Sequence, residues 1–207
     1  MYFHAVIAIL DYGSGNLRSV ARAIERVGGD ALVTGDAADV ERADALVIPG
    51  VGHFGSCARA IVERSLDDPV RAFAGGGRPM FGVCVGMQVL LESSEEDGQA
   101  GLGVVRGRSR RLPTTDTVKV PHMGWNTVVW SRNHPYVTGI PSGTRFYFVH
   151  SFAPDLDADL TIGTTEHGRS FSSVLARETV FATQFHPEKS GDAGLQLYET
   201  FVKAAST

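Results

Sequence analysis

The amino-acid sequence predicts an α/β protein with a mostly parallel central sheet, flanked by helices and accompanied by an additional antiparallel β layer. Three observations support this fold class. Up to about residue 100, short apolar runs alternate with helical segments, which is the β-loop-α order of a parallel sheet. After about residue 103, short strand-like runs are separated by Pro, Gly, Asn and Asp turns, as in antiparallel sheets. An amphipathic segment from Ser190 predicts a final helix that covers the sheet.

The parallel half begins with an apolar run, residues 1–10, which predicts the first strand. A turn-rich loop follows, and then an amphipathic helix that ends at Gly28-Gly29, where glycine favours helix termination. The remaining elements of this half are shorter apolar or amphipathic runs. They predict strands at 31–34, 45–48 and 79–83, and helices at 56–64, 69–74 and from 85 to about 93.

The second half consists mainly of short runs with β-branched and aromatic residues. These runs predict strands at 104–105, 118–120, 127–130, 145–149, 160–162, 172–176 and 180–185. No internal repeat and no low-complexity linker divides the chain. A length of 207 residues is sufficient for one well-packed core and short for two, so we expect a single domain spanning 1–207.

The composition argues against several classes of partner. The net charge is −4 and no Lys/Arg cluster is larger than that around Arg110-Arg111, so no nucleic-acid-binding surface is expected. The apolar N-terminal run has no basic region before it and no cleavage site, and no run is long enough to span a membrane. With only two cysteines, Cys57 and Cys84, a disulfide framework is not expected. We therefore expect a cytoplasmic protein.

A cysteine at the junction of a predicted strand and a predicted helix is the main candidate for a nucleophile. Cys84 has Gly82 and Gly86 two residues before and after it, which is the thiol version of the nucleophile elbow. A helix start favours thiolate over thiol, and its backbone N–H groups can donate to a developing oxyanion. A buried cysteine that only fills space is the alternative. A nearby base is needed to decide between these interpretations.

The strand that ends near residue 185 is followed by a candidate base. His186 precedes Pro187, which stiffens the turn, and Glu188, which is close enough in sequence to orient the imidazole. Together with Cys84 these residues predict a Cys-His-Glu triad for acyl transfer. A His-Pro turn with a surface glutamate is the alternative. None of the seven histidines stands in a metal-binding spacing, so no metal is expected.

Two glycine-containing loops follow predicted strands. The glycine spacing of the loop at residues 11–16 fits neither the dinucleotide fingerprint nor the Walker loop. We interpret it as a loop that contacts an unidentified partner, and an ordinary tight turn is the alternative. In Pro49-Gly50-Val51-Gly52, the glycines allow the backbone to present an N–H group to a bound carbonyl. From spacing alone, a flexible connection is the favoured interpretation of this second loop.

Several of these segments resemble the class I, or triad, glutamine amidotransferases. The segments are Pro49-Gly50-Val51-Gly52, Gly82-Val83-Cys84-Val85-Gly86-Met87-Gln88 and His186-Pro187-Glu188. Within that family, others are similar to the glutaminase subunits of imidazole glycerol phosphate synthases: Asp11-Tyr12-Gly13-Ser14-Gly15-Asn16-Leu17-Arg18-Ser19, Pro121-His122-Met123-Gly124-Trp125-Asn126 and Tyr147-Phe148-Val149-His150-Ser151-Phe152. The resemblance extends from Asp11 to the last helix and implies a three-layer, flavodoxin-like fold.

The resemblance also implies a reaction and roles for the matching residues. Cys84 would attack the side-chain carboxamide of L-glutamine, release ammonia and form a thioester, with His186 as base and acid and Glu188 steadying the charged ring. The backbone N–H groups of Val85 and, after the loop reorients, of Val51 would form the oxyanion hole. The residues that match the glutamine pocket of the family are Gly50, Gly52, Gln88, His150, Ser151 and Phe152.

A partner is a further implication of the resemblance. Glutaminases of this group form a heterodimer with a (β/α)8-barrel cyclase subunit, to which ammonia is channelled for the formation of imidazole glycerol phosphate and AICAR in histidine biosynthesis. The residues that match the interface are Asn16, Met123, Trp125 and Lys189.

Two other functions remain open from the sequence. The first is a glutaminase subunit that serves anthranilate, aminodeoxychorismate or pyridoxal phosphate synthesis, against which the segment 121–126 argues. The second is a subunit that binds glutamine or a partner without chemistry, against which the intact Cys84, His186 and Glu188 argue. We expect no cofactor in any of these cases.

Overall fold

A computed structural model describes residues 5–206, so the start of the predicted first strand, residues 1–4, lies outside the described chain. The strands are β1 Val6–Leu10, β2 Asp30–Thr34, β3 Ala45–Gly50, β4 Met80–Cys84, β5 Ser93–Ser94, β6 Arg108–Arg111, β7 His122–Trp130, β8 Thr144–His150, β9 Phe152–Pro154, β10 Thr161–Glu166, β11 Ser170–Arg177 and β12 Val180–Thr183. The helices are α1 Leu17–Arg26, α2 Ala37–Arg42, α3 Phe54–Glu63, α4 Asp67–Gly75, α5 Val85–Val89 and α6 Gly191–Ala205. Two 3-10 turns span Pro135–Val137 and Pro187–Lys189.

Within residues 5–206, nine strands form one sheet in the order β2-β1-β3-β4-β12-β11-β10-β7-β8. The strands from β2 to β12 are parallel to one another, and those beyond β12 pair antiparallel. A separate sheet contains β5, β6 and β9. The predicted fold class is confirmed, with the addition that most antiparallel strands extend the parallel sheet itself.

The change of strand direction occurs at the turn between β11 and β12. Arg177 pairs with Val180, so the turn has two residues, and Glu178 adopts a positive φ of 52°. A turn this short connects neighbouring antiparallel strands, whereas parallel neighbours need a long crossover. The sheet therefore continues as an antiparallel meander on that side.

Several elements differ from the sequence prediction. Helix α2 was not predicted, because six residues are too few for a clear apolar period; Asp36 caps it by accepting a hydrogen bond from the Ala38 N–H at 2.8 Å. The runs 104–105 and 118–120 are not strands. The apolar character of Val105 reflects burial of a loop residue in the core and not a strand. Its N–H donates to the Leu90 carbonyl. Helix α5 ends at Val89 instead of near residue 93.

The final helix covers the parallel part of the sheet through aromatic side chains. Phe81 of β4 packs against Phe181 of β12 and against Tyr198 and Phe201 of α6, with ring centroids 5.2 to 5.5 Å apart. These four rings are almost fully buried, so they hold β4, β12 and α6 in fixed relation. Of the helices in residues 5–206, none has the length and apolar character needed to cross a membrane.

The register of three parallel strands determines which residues meet at the carboxyl edge of the sheet. Gly50 of β3 lies beside Cys84 of β4, and Thr183 of β12 lies beside Val83. The residues that follow β12 therefore pass directly alongside Cys84. Open α/β sheets bind ligands at this edge, so the register predicts where the functional site lies.

We predict that Gly86→Ala destabilises the protein strongly. An added Cβ at Gly86 would overlap the Ile48 carbonyl oxygen and lie 2.8 Å from the Ile48 carbonyl carbon, so β3 and α5 would have to separate. We expect a loss of more than about 2 kcal/mol in the free energy of unfolding, measured by urea denaturation.

Gly75→Ala is the matched control, because a Cβ at Gly75, the last residue of α4, has no neighbour within 4 Å. We expect its stability to change by less than about 1 kcal/mol. Equal stabilities of the two variants would contradict the packing argument.

Candidate active site

The nucleophile candidate lies on a sharp turn between β4 and α5. Cys84 adopts φ 54° and ψ −113°, a strained conformation for a residue with a Cβ. The turn fits because Gly86 lies against the Ile48 carbonyl and Gly50 lies against the start of α5. Helix α5 has only five residues, so its contribution to anion binding comes from the N–H groups of its first turn. The strand-to-helix geometry predicted for Cys84 is present.

A buried histidine–carboxylate pair lies at the same edge of the sheet. The Nδ1 atom of His186 is 2.8 Å from Oε1 of Glu188, and both side chains are only 1% exposed. Since an ionised carboxylate is only an acceptor, Nδ1 carries the proton of this hydrogen bond. The Asn16 amide also donates to Glu188 Oε1, at 3.3 Å. The pair therefore orients the His186 ring with Nε2 directed away from Glu188.

The Nε2 atom of His186 has no hydrogen-bond partner within residues 5–206, and the residue lines a cavity together with Cys84. Burial lowers the pKa of His186, but the negative charges of the Cys84 thiolate and of Glu188 together raise the pKa to about 10. Cys84 and Glu188 therefore favour the protonated form of His186. A positively charged neighbour is what a cysteine needs in order to act as a thiolate nucleophile.

The cavity has a volume of about 280 Å³. Its lining contains Cys84, His186, Val51, Gly52, Val85, Gln88, His150, Ser151 and Phe152 from the sequence prediction, together with Glu96, Pro121 and Val149. Gly50 is the one predicted pocket residue that does not line it, since it is buried next to Cys84. The structure thus brings the predicted triad, oxyanion and pocket residues to one place.

Glu96 is a cavity residue that sequence reasoning missed. The acidic run 95–98 suggested only a surface loop. In the structure Glu96 is half-buried, and its Oε2 accepts a hydrogen bond from the Phe54 N–H at 2.7 Å. A fixed carboxylate at the cavity can bind a cation. The only signal in the sequence was the position of this run just after the elbow helix.

Side chains beneath the Pro49–Gly52 loop hold its carbonyl groups. The Tyr12 hydroxyl donates to the Pro49 carbonyl at 2.6 Å, and the Ser14 hydroxyl donates to the Val51 carbonyl at 2.9 Å. The Cys57 thiol also donates to the Val51 carbonyl, at 3.5 Å. The Val51 N–H forms no hydrogen bond within residues 5–206, so this group is free to bind an external acceptor.

Buried glutamines continue the site below the cavity. The Gln88 amide nitrogen is 2.9 Å from both the Phe152 carbonyl and Oε1 of Gln184. The Gln184 amide nitrogen in turn lies 3.7 Å from Cys84 Sγ. Gln184 was not singled out in the sequence, where it is only a polar residue at the end of an apolar strand.

A pair of neutral histidines supports the same backbone segment. His150 Nδ1 lies 2.9 Å from the Phe152 carbonyl, and His150 Nε2 lies 2.9 Å from His122 Nδ1. Burial lowers the pKa of His122 to about 4 and that of His150 to about 3, with a further lowering from the neighbouring histidines. Since the carbonyl only accepts, His150 carries its proton on Nδ1 and accepts from His122.

The residues that match the family's partner interface lie on one side of the site. Met123 and Trp125 project from β7 with exposed fractions of 64% and 47%. Trp125 contacts the Tyr147 ring edge-on, and the Lys189 ammonium is 5.8 Å from the centre of that ring. Asn16 instead contacts Glu188 of the candidate triad. Met123, Trp125 and Lys189 therefore form a surface, whereas Asn16 contacts the triad pair through its side-chain amide.

The fold and the site define a class of protein that agrees with sequence comparison. Residues 8–205 match the family described as Glutamine amidotransferase class-I. The chain therefore belongs to the class I glutamine amidotransferases.

Curated relatives place the chain more narrowly, in the HisH group of that family. A protein of Dehalococcoides mccartyi named imidazole glycerol phosphate synthase subunit HisH is 44% identical over 97% of this chain and 98% of its own length. Proteins of the same name from Microcystis aeruginosa and Halobacterium salinarum are 41% and 46% identical, over 96% of this chain and 95% and 93% of their own lengths.

Solved structures show the same fold at low sequence identity. A putative GMP synthase protein from Thermoplasma acidophilum has a TM-score of 0.74 at 18% identity, over 99% of this chain and 96% of that chain. The structure of PurLQS from Thermotoga maritima has a TM-score of 0.76 at 17% identity, over 97% of this chain and 99% of that chain. At such identities the similarity concerns the fold alone.

We predict that the two neutral histidines make the protein less stable in weak acid. Their folded-state pKa values, about 4 for His122 and about 3 for His150, lie below the value of about 6.5 in an unfolded chain. The unfolded chain therefore takes up more protons below pH ~6.5, and stability falls as the pH decreases from there toward 4. Each histidine should contribute a loss on the order of 1.4 kcal/mol between pH 7.5 and 5.5.

His150→Asn tests this, because an Asn side-chain nitrogen can replace Nδ1 as donor to the Phe152 carbonyl but does not titrate. Urea denaturation at pH 7.5 and 5.5 should show a smaller acid loss in the variant, by on the order of 1.4 kcal/mol. The same loss in both proteins would show that His150 is not a buried neutral group.

Proposed function

We propose that this chain hydrolyses L-glutamine to glutamate and ammonia as the glutaminase subunit of an imidazole glycerol phosphate synthase, with Cys84, His186 and Glu188 as its catalytic residues. The observation that carries the proposal is the meeting of a strained cysteine turn and a buried His-Glu pair at one cavity. The ordinary explanations of the same sequence, a packing cysteine and a surface glutamate, do not account for a glutamate side chain that is 1% exposed.

The chemical steps use the side chains of the candidate triad. The Cys84 thiolate attacks the carboxamide carbon of glutamine, and the carbonyl oxygen becomes an oxyanion. The protonated His186 Nε2 then gives its proton to the departing nitrogen, so ammonia leaves and a γ-glutamyl thioester remains. His186 next takes a proton from a water molecule that attacks the thioester, which releases glutamate and restores the thiolate. Glu188 keeps Nδ1 protonated and offsets the charge on the ring throughout.

Two backbone groups are suited to bind the oxyanion. The Val85 N–H belongs to the first turn of α5, where no intrahelical acceptor is available. The Val51 N–H is likewise unpaired within residues 5–206, and Val51 lines the cavity. Donors of this kind act most strongly on charge that develops in the transition state, so they accelerate the reaction more than they tighten substrate binding.

The cavity also offers groups for the other end of glutamine. The half-buried Glu96 carboxylate lines the cavity and is suited to the α-ammonium group. Gln88 Oε1 has no partner within residues 5–206, whereas its amide nitrogen has two, so the oxygen is available to accept from the same ammonium. The α-carboxylate would then meet backbone groups of the segment 150–152. This pocket accounts for recognition of an amino acid and not of a simple amide.

A barrel-type cyclase subunit is the partner that the proposal requires, as a heterodimer. The relatives at 41% to 46% identity are named as subunits of imidazole glycerol phosphate synthase, and their alignment covers almost the whole chain. The surface formed by Met123, Trp125 and Lys189 exposes two large apolar side chains next to the candidate triad. Exposed apolar side chains beside a site are typical of interfaces. We propose that ammonia passes to the partner across this surface.

We predict that Cys84→Ala abolishes glutamine hydrolysis without unfolding the protein. Loss of the nucleophile should reduce kcat by a factor of about 10⁴ or more. Ammonia release should be measured with the partner subunit present, and the melting temperature of the variant serves as the control. A variant with unchanged kcat would refute the catalytic assignment.

We also predict that hydrolysis is slow in the isolated chain and is stimulated by the barrel subunit carrying its nucleotide, since the Gly50-Val51-Gly52 loop is expected to adjust on assembly. Trp125→Ala should raise the concentration of partner needed for half-maximal stimulation by about 30-fold, equivalent to about 2 kcal/mol for a central aromatic contact.

Leu156→Ala is the control for this experiment, because Leu156 is similarly exposed but lies in the segment after β9. It should leave the concentration of barrel subunit needed for half-maximal stimulation unchanged. Equal activity with and without the barrel subunit would contradict the regulatory part of the proposal. Stimulation by a chorismate-binding subunit alone would show that the partner is not a barrel-type cyclase.

A further inference from the structure

A buried carboxamide beside the nucleophile is not used by the mechanism above. Gln184 is fully buried, and its Nε2 atom lies 3.7 Å from Cys84 Sγ. It follows directly after β12, where Thr183 pairs with Val83, so the register itself places Gln184 next to Cys84. A backbone bond from the Gln184 N–H to the Ser173 carbonyl, at 2.9 Å, fixes this position. The hydrogen-bond partners of the amide determine whether its nitrogen or its oxygen faces the sulfur.

The hydrogen bonds of Gln88 determine the orientation of the Gln184 amide. The Phe152 carbonyl is only an acceptor, so the Gln88 group 2.9 Å from it must be the NH₂ group. The same NH₂ group lies 2.9 Å from the Gln184 side chain, which must therefore present its oxygen to Gln88. The NH₂ group of Gln184 is then directed to Cys84 Sγ. The Phe152 carbonyl thus fixes the orientation of the Gln88 amide, and through it the orientation of the Gln184 amide.

The Phe152 carbonyl, at the start of this series of hydrogen bonds, is itself fixed in position. Phe152 belongs to β9, which pairs with Arg111 of β6. Its oxygen also accepts a hydrogen bond from His150 Nδ1 at 2.9 Å. A reversal of either glutamine would place two oxygens or two NH₂ groups face to face in a buried region, which is costly. The donor orientation of Gln184 is therefore strongly favoured.

We propose that Gln184 is a further catalytic residue, which donates a side-chain N–H to the Cys84 thiolate, and that Gln88 is a positioning residue that keeps Gln184 in the donor orientation. The inference rests on the proposed function, in which Cys84 acts as the thiolate. A hydrogen bond to a charged acceptor is stronger than one to its neutral form, so Gln184 stabilises the thiolate relative to the thiol. Because Gln184 is neutral, it can stabilise the thiolate as a dipole. A second cation at this position would compete with His186 for the sulfur.

Other groups act on the same sulfur and must stay constant in a test. His186, backed by Glu188, provides the positive charge, and the buried Tyr12 and Cys57 lie within electrostatic reach of Cys84. The Cys84 thiol can itself donate a hydrogen bond to the Val149 carbonyl, at 4.0 Å. Substitution of Gln184 changes none of these residues, so a change in thiolate formation can be assigned to the amide.

The test is the pH dependence of Cys84 alkylation by iodoacetamide in the full chain without glutamine, followed by mass spectrometry to separate Cys84 from Cys57. Gln184→Met keeps the side-chain length and removes the donor, so the midpoint of alkylation should rise by about one to two pH units. Gln184→Glu adds a negative charge and should raise the midpoint further. Ser173→Ala is the control, because the buried Ser173 hydroxyl has no partner within residues 5–206 and should leave the midpoint unchanged.

Gln88→Met tests the positioning role. It should raise the midpoint by no more than Gln184→Met does, because a freed Gln184 spends only part of its time as a donor. The double variant should have the same midpoint as Gln184→Met alone, since Gln88 acts through Gln184. Additive shifts would show that Gln88 acts on the sulfur by another route and would overturn the positioning assignment.

A midpoint that is unchanged in Gln184→Met or in Gln184→Glu would overturn the proposal for Gln184. If both variants unfold, the side-chain amide resonance of Gln184 in the unmodified protein decides: it should titrate together with Cys84 alkylation, and a resonance insensitive to pH would refute the hydrogen bond. These outcomes are distinct from failure of the proposed function, which would appear as glutamine hydrolysis by Cys84→Ala.

Discussion

The parallel register of β3, β4 and β12 determines the geometry of the whole site. Because these strands end at the same level, Gly50, Cys84 and Gln184 lie side by side, and His186 follows within the same edge. Buried residues hold this register, including Phe81 of β4, which packs against Phe181 of β12 and Phe201 of α6. A shift of one residue in any of the three strands would turn the side chains to the opposite face and dismantle the site.

This register has local costs that the surrounding structure offsets. Cys84 has a positive φ, and the close approach of β3 to α5 excludes side chains at Gly50 and Gly86. Burial of the Glu188 charge is unfavourable by itself. The hydrogen bonds from His186 and Asn16 and the opposite charge on the ring compensate for part of it. The strain and the buried charge are thus concentrated at the residues proposed to carry the chemistry, while the rest of the sheet is a conventional apolar core.

Much of the fold could be predicted from the sequence because its signals are local. Apolar runs and turn residues identified the parallel strands, and the two glycines around Cys84 identified the sharp turn. Side-chain contacts between distant segments carried no such signal. Gln184 and Glu96 reach the site only through strand register and loop path, and the Val104-Val105 run was apolar because of burial and not because of a strand. The tautomers of His122 and His150 likewise follow from a carbonyl that only the folded chain brings near them.

Strand register places the Cys84 thiol and the His186 imidazole at one cavity, and the reactivity of that thiol can be measured without the partner subunit. The decisive measurement is covalent labelling with an electrophilic glutamine analogue, read by peptide mass spectrometry, with Cys57 as the internal comparison because both cysteines are free and buried. We expect one label per chain, on Cys84 only, with protection by excess glutamine. Labelling of Cys57 to a similar extent, or labelling of Cys84 that glutamine does not slow, would contradict this arrangement.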